Sequence, residues 1–318
     1  MELVKAHLSG MFPRSERLVE VTRARDRGGA SDAGVESAVI NDVRALVELQ
    51  GQAGCDVLVD GQLNWQDLFR PFAKLLTGVQ PGSLTRWFDN NTFYRKPVIV
   101  DRVSFAGKTI EEYFRSSLLP KEVPKKAILP GPYTFAFMSQ NNTYSSFADL
   151  LDDLAHALKD IVGELRRANY EHFQFNEPCI CSNSTTKENL ELTKAALGTA
   201  TEVAGAKSTV HTYFGDAGPV IQDLLDFPSD GIGLDFYATS IDSISQYDFD
   251  KELGCGCIDG RNSLLETPNT LAEFLGRIND EVNPKNMFIC PNCDLEFLPR
   301  PIAEKKVKVL SETKNLAA

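Results

Sequence analysis

Five short apolar runs in the second half of the chain each end on residues able to bind a metal, a proton or a thiol: 172–179, 210–216, 232–235, 254–262 and 288–294. Buried parallel strands read as short apolar runs, and in α/β proteins chemistry collects where such strands end. Within these ends His211, Asp235 and Cys293 form the strongest constellation, with Cys257, Cys290 and Cys179 as further thiols. Zinc favours four ligands drawn from imidazole, thiolate and carboxylate, and separate strand ends can bring them together. Small buried core cysteines also account for the thiols, and Cys290-Pro-Asn-Cys293 lacks the second Cys-x-x-Cys of a zinc ribbon. A bound zinc would deprotonate a coordinated thiol at neutral pH, so thiol alkylation is the reaction class such a site implies.

Other polar groups sit at the same ends. Asp60, Gln62, Asn176 and Glu177 could hold the amino or carboxyl end of a thiol amino acid, or serve as helix caps and buried hydrogen-bonding groups. Arg261, in Asp259-Gly-Arg-Asn262, could grip a carboxylate or bridge to a neighbouring loop. There is no glycine-rich phosphate loop and no Gly-x-Ser-x-Gly elbow.

The elements that must position these residues follow from periodicity. Val35, Val39, Val43, Leu46 and Val47 make a helical stripe with Ser31 and Asp32 as caps and Gly54 as a stop; Phe147 to Leu165 carries a second, longer stripe. Further helices are expected over 187–204, 218–226, 270–281 and 301–315. Strands are expected over 5–9, 56–60, 127–130, 173–176, 209–213, 231–235, 254–258 and 287–290. Eight strands separated mostly by helices predict a closed (β/α)8 barrel, one domain over 1–318, interrupted after the second strand by an insertion over 62–126. The insertion carries Trp65, Phe69, Phe72, Trp87, Phe88, Phe93 and Tyr94, with a strand of its own from Pro97 to Val103. It reads as a satellite hydrophobic cluster, or more sharply as a lid or partner surface.

Composition bounds the partners. A chain of 318 residues with 42% hydrophobic content buries a large core, and a net charge of -11 argues against nucleic acid or an anionic membrane as a main partner. Met1 to Arg25 has no signal-peptide-type stretch, and no apolar run approaches the ~20 residues that span a bilayer. Seven cysteines, two pairs of them one residue apart, suit reduced thiols better than a disulfide framework. The expected compartment is the cytoplasm.

A family resemblance covers nearly the whole chain. Ser9-Gly-Met-Phe-Pro-Arg14-Ser, Asp56-Val-Leu-Val-Asp-Gly61-Gln, Leu129-Pro-Gly-Pro-Tyr-Thr-Phe135, Phe175-Asn-Glu-Pro178, His211-Thr-Tyr-Phe-Gly215 and Ile258-Asp-Gly-Arg-Asn262 resemble cobalamin-independent methionine synthase. That resemblance implies a (β/α)8 barrel. In the full-length family two related barrels occur: the carboxyl-terminal one binds zinc and homocysteine and transfers a methyl group from a folate/pterin or corrinoid donor, and the amino-terminal one lacks the zinc site. Carried onto this sequence, it makes His211, Asp235 and Cys293 metal ligands; the family's fourth ligand has no match, and Cys257, or else Cys290 or Cys179, would have to replace it. Asp235 and Asn176 become candidate catalytic residues, and Met11, Arg14, Asp60, Gln62, Glu177 and Arg261 substrate contacts.

The departures matter. Tyr213 stands where the zinc barrel has a Cys, Asp235 where it has Glu, Met11 where Ser is usual, Gln62 where Glu, and Asn176 where Asp. Thr212 to Gly215, Ile258 to Asn262 and Trp87 to Arg95 are more similar to the amino-terminal barrel. The expectation is therefore a methyltransferase acting on homocysteine or a similar small thiol. Its alternative is a zinc-free, donor-binding partner of a separate zinc-bearing subunit, or of a methyl-donor protein.

Overall fold

In the computed structural model, which describes residues 4–317, the strands expected to line the mouth form one parallel sheet. Residues 1–3 and 318, the ends of the expected domain, lie outside the described residues. In chain order the elements are β1 (Lys5–Ala6), α1 (Glu16–Asp26), α2 (Asp32–Gln52), α3 (Phe72–Leu75), β2 (Leu76–Arg86), β3 (Phe93–Phe105), β4 (Lys126–Pro130), α4 (Pro132–Met138), β5 (Gln140–Asn141), α5 (Phe147–Arg167), β6 (His172–Asn176), α6 (Lys187–Thr201), β7 (Lys207–His211), α7 (Ile221–Asp226), β8 (Gly231–Asp235), β9 (Glu252–Ile258), α8 (Pro268–Glu281), β10 (Asn286–Pro291) and α9 (Arg300–Ala317). The large sheet runs β1-β10-β9-β8-β7-β6-β4.

The expected closed eight-stranded barrel is not what forms. Seven parallel strands curve through 205° and leave their edges 12 Å apart, an open half-barrel. The eighth expected strand, 56–60, lies in that gap and makes a single bridge, Leu58 to Lys125. A few backbone bonds hold it to both edges: the Asp56 amide donates to the Ala6 carbonyl, and Leu58 donates to the Pro124 carbonyl and accepts the Lys126 amide, each at 2.9 Å. Side chains supply the rest. Gln50 donates to the Val59 carbonyl at 2.8 Å and accepts the Val59 amide at 3.1 Å, while the Asp56 carboxylate accepts the Ala6 amide at 2.7 Å. With the Val59 amide and carbonyl both taken by Gln50, the backbone bonds of the segment to the two edges stop at Leu58.

The helices form where their apolar stripes demand. Ser31 Oγ accepts the Gly34 amide at 3.2 Å to start α2, which buries Val39, Val43 and Leu46. Ser146 caps α5, whose buried face runs from Leu150 to Leu165. The insertion folds as an antiparallel β2–β3 hairpin, with β5 added parallel to β3. Its aromatic residues weld it to α4: Phe69 and Phe72 lie 5.2 and 5.6 Å from Phe135, centroid to centroid.

The space enclosed by the sheet is partly polar. Lys126 at the start of β4 is buried, with Nζ 3.1 Å from Nδ1 of His7, and burial lowers it to about 7. No carboxylate pairs with it among the described residues. Gln174 and His211 line the same cavity, whose volume of about 20 Å³ suits a single water.

Candidate functional site

The carboxyl ends of the strands gather several of the expected site residues around one that the motif reading passed over, Asn292. His211, the last residue of β7, donates from Nε2 to the Asn292 carbonyl at 2.8 Å. The Asn292 amide donates to Asp235 Oδ1 at 3.0 Å, and its Oδ1 accepts the Gly260 amide at 2.8 Å. Cys293 follows directly. Asn292 was visible only as the spacer inside Cys-Pro-Asn-Cys, and a thiol-centred reading gives a spacer no role.

The donor chemistry does not fit a zinc site. Burial lowers His211 to about 4, so the ring is neutral. Its Nε2 is used by Asn292, and its Nδ1 faces Gly233 so closely that a Cβ there would lie 1.9 Å away. Asp235 is spent on two loops, with Oδ1 accepting the Tyr237 amide of the loop that follows it at 3.0 Å and Oδ2 the Phe214 amide of the loop after β7 at 3.1 Å. Burial raises the Cys293 and Cys257 thiols well above their ordinary range, and the groups acting on Cys257 are Cys290 and Glu266 rather than His211 or Asp235. Among the described residues no group of three His, Cys, Asp or Glu side chains converges to hold a metal ion.

The expected substrate contacts divide between the mouth and its rim. Asn176 is buried, its Oδ1 accepting from Gln174 at 2.7 Å. Glu177 caps α4: its two oxygens accept the Tyr133 and Thr134 amides at 2.9 and 2.7 Å, and burial lifts its carboxyl to about 7. Gly131 is required there, since a Cβ would fall 2.1 Å from the Glu177 carboxyl carbon. Asp60 accepts the Gln62 and Arg115 amides at 3.0 and 3.2 Å, and burial raises it. Gln62, at φ 53°, donates to the Ile128 carbonyl at 3.2 Å and leaves its buried Oε1 without a partner. The Met11 amide donates to Asp294 Oδ1 at 2.7 Å.

Arg14 and Arg261 lie apart from this group. Arg14 faces a cavity of about 450 Å³ between α1, α2 and the loops around 63–66 and 112–115, and burial lowers it. Arg261 stands on the rim, bound to both oxygens of Asp89 at 3.0 and 3.1 Å and stacked 5.1 Å from the Phe214 ring centroid. Asp89 belongs to the tip of the insertion, so the rim salt bridge joins the insertion to the mouth. Beside it Phe88 packs on Phe214 at 5.2 Å, and both phenylalanines have left-handed backbone, at φ 50° and 68°.

An α/β sheet with helices on its outer face and a polar, buried mouth at the strand ends defines the class. The family described as cobalamin-independent synthase, N-terminal domain, matches residues 62–283, and the chain belongs to it. The chain is 28% identical over 317 residues to a methionine synthase of Saccharolobus solfataricus, covering 98% of this chain and 94% of that one. It is 29% identical over 301 residues to a methionine synthase of Sulfurisphaera tokodaii, covering 94% and 88%. Among solved structures, a B12-independent methionine synthase from Shewanella sp. W3-18-1 in complex with selenomethionine superposes with a TM-score of 0.84 at 21% identity, covering 98% of this chain and 97% of that one. A putative vitamin-B12-independent methionine synthase from Listeria monocytogenes gives 0.79 at 16%, covering 99% and 98%. The chain is thus a methionine-synthase-type domain. No helix among the described residues is long and apolar enough to cross a membrane.

Proposed function

We propose that this chain is a zinc-free, amino-terminal-type methionine synthase domain that binds the methyl donor and works with a separate zinc-bearing subunit, on which homocysteine is activated. The observation that carries this reading is that the free lone pair of His211, on Nδ1, is packed against the Gly233 backbone while both Asp235 oxygens accept from Asn292 and loop amides, and that among the described residues no three His, Cys, Asp or Glu side chains converge. The cavity of about 450 Å³ at Arg14 supports donor binding, because a half-buried guanidinium suits the acidic end of a folate-type molecule. Seven free cysteines support a reducing compartment, the cytoplasm.

A second reading, in which the chain itself methylates homocysteine or a similar small thiol, is favoured by its match over 94% of the Saccharolobus methionine synthase. One experiment separates the two. Purified protein prepared with zinc supplied is analysed for metal by mass spectrometry, then assayed for methionine from homocysteine with methyltetrahydrofolate or methylcobalamin, alone and with a zinc-bearing methionine synthase subunit. Activity only with the subunit, and no zinc on this chain, is the expected result. Stoichiometric zinc with activity alone, both abolished in His211→Ala and Cys293→Ala, overturns it.

A further inference from the structure

The insertion presents a face that no other element covers. On the solvent side of the β2–β3 ribbon Leu84 pairs with Arg95 and Phe93 with Arg86, so two apolar and two cationic side chains stand together on one surface. Leu84 is 56% exposed and Phe93 48%, and the Arg86 guanidinium lies 5.8 Å from the Phe93 ring centroid. Neither arginine has a carboxylate partner among the described residues; the Arg95 side chain donates to the Gly82 carbonyl at 3.1 Å. In a chain of net charge -11, residues 76–105 carry Arg86, Arg95, Lys96 and Arg102 against Asp89 and Asp101 alone. The ribbon is thus a basic, apolar-tipped projection from an acidic protein.

The apolar surface continues towards α5. Val100 on β3 and Phe137, just before β5, are both exposed, and β3 and β5 are paired at Val98–Gln140 and Ile99–Asn141. Phe137 packs on Tyr133, and Tyr133 on Phe147 at the start of α5, at 5.6 and 6.0 Å between centroids. The ribbon is tied to the same helix by Arg102 and Asp153 at 3.0 Å. Where α5 packs against α6, a groove of about 270 Å³ opens to solvent. Leu151 and Ala196 form its buried floor and Leu192 a half-buried wall, while Asp149 and Asp152 stand exposed on its lip. Asp152 meets only the exposed ring of His156, at 3.6 Å, and Asp149 meets no cation among the described residues.

A protruding apolar pair flanked by arginines is complementary, in shape and in sign of charge, to an apolar groove lipped by carboxylates. Phenylalanine and arginine are also side chains that protein interfaces favour. Both halves belong to one chain and lie beside one helix. We propose that this flank is a homodimer interface, in which Leu84 and Phe93 of one copy enter the α5–α6 groove of a second, Arg86 and Arg95 meet its Asp149 and Asp152, and the reciprocal contact forms across a two-fold axis. Because each copy supplies both halves, association closes at two chains. None of the strand-end residues of the mouth takes part, so the dimer is independent of how the mouth is used.

The test is the mass of the full chain in solution, by sedimentation velocity and light scattering, as a function of protein and sodium chloride concentration. A dimer that dissociates as salt screens the charged rim is expected. Two charge-reversed proteins, one with Arg86→Glu and Arg95→Glu, the other with Asp149→Lys and Asp152→Lys, should each show half the parent's mass where the parent is dimeric. Mixed in equal amounts they should restore a dimer containing one of each, because both contacts are then complementary again. Restoration on mixing separates a lost interface from a lost fold. A parent that is monomeric at every concentration, a dimer indifferent to both pairs of substitutions, or two monomers that fail to associate on mixing overturns the proposal.

Discussion

Replacing Lys126 by Met should stabilise the protein at neutral pH, because the lysine amine is held inside the sheet with no carboxylate to offset its charge. Burial lowers it from an ordinary 10.5 to about 7, and at about 1.4 kcal/mol per pH unit the charged form bears a penalty of about 5 kcal/mol in the folded state. The sign follows from proton binding. Between pH 7 and 10.5 the unfolded chain holds the lysine proton and the folded chain has released it, so stability rises with pH across that window. The full penalty applies below it. At pH 7 the folded amine is half protonated and about 4 kcal/mol of the penalty remains; at about pH 9.5 it has fallen to about 1 kcal/mol. Methionine matches lysine in length and adds no charge, losing only the contact to His7 at 3.1 Å, worth about 1 kcal/mol. The variant should therefore gain about 3 kcal/mol at pH 7 and nothing measurable at about pH 9.5. Urea unfolding of both proteins at the two pH values measures this, with equal m-values confirming a common unfolded state. A variant that gains nothing at pH 7, or gains equally at both pH values, would refute the reasoning.

Three further substitutions test the framework around the mouth. Asp235→Ala orphans the Asn292 side chain and the Tyr237 and Phe214 amides, and should cost about 3 kcal/mol or more in urea unfolding, with Asp235→Asn recovering part of it. Gly131→Ala places a methyl against the Glu177 carboxyl and should lower stability by about 2 kcal/mol or more; paired with Glu177→Ala in a double-mutant cycle, the two costs should fall short of additivity because the clash is gone. Lys306, fully buried, donates to Glu266 at 2.6 Å and to the Leu264 carbonyl at 2.8 Å. Lys306→Met leaves Glu266 uncompensated, should cost about 3 to 5 kcal/mol, and should speed amide exchange over 262–266 before other segments respond.

What the sequence disclosed was what is written locally. The stripes of α2 and α5 and their serine caps are i, i+3 and i, i+4 patterns, and the buried strands β4 and β6 to β10 are short apolar runs, those from β6 on leading into polar residues. α1 escaped notice because it is mostly charged and buries only Leu18, Val21 and Thr22. α4 did so because its cap is Glu177, more than forty residues downstream. The run Val57 to Val59 has the composition of a strand, but its backbone meets β4 only at Leu58, and the Val59 amide and carbonyl go to the Gln50 side chain, which no strand pattern reveals. The same limit applies at the mouth. Residue types there suggested a metal, whereas in the structure Asn292, a residue with no metal chemistry, receives the His211 Nε2 proton and occupies one Asp235 oxygen. Arg261 was legible as a carboxylate-gripping group, and the carboxylate it grips is Asp89 of the same chain.

The gap between β1 and β4 has a consequence for how this architecture can change. A ladder of backbone hydrogen bonds is nearly indifferent to sequence, since every residue but proline brings the same donor and acceptor. Here the backbone bonds of Asp56 and Leu58 are supplemented by the Gln50 amide and the Asp56 carboxylate, so a single-residue substitution at Gln50 or Asp56 can loosen or tighten one wall of the sheet while the strands stay as they are. The wall beside the second strand, where the insertion departs, is thus the part of the scaffold whose closure is open to selection one side chain at a time.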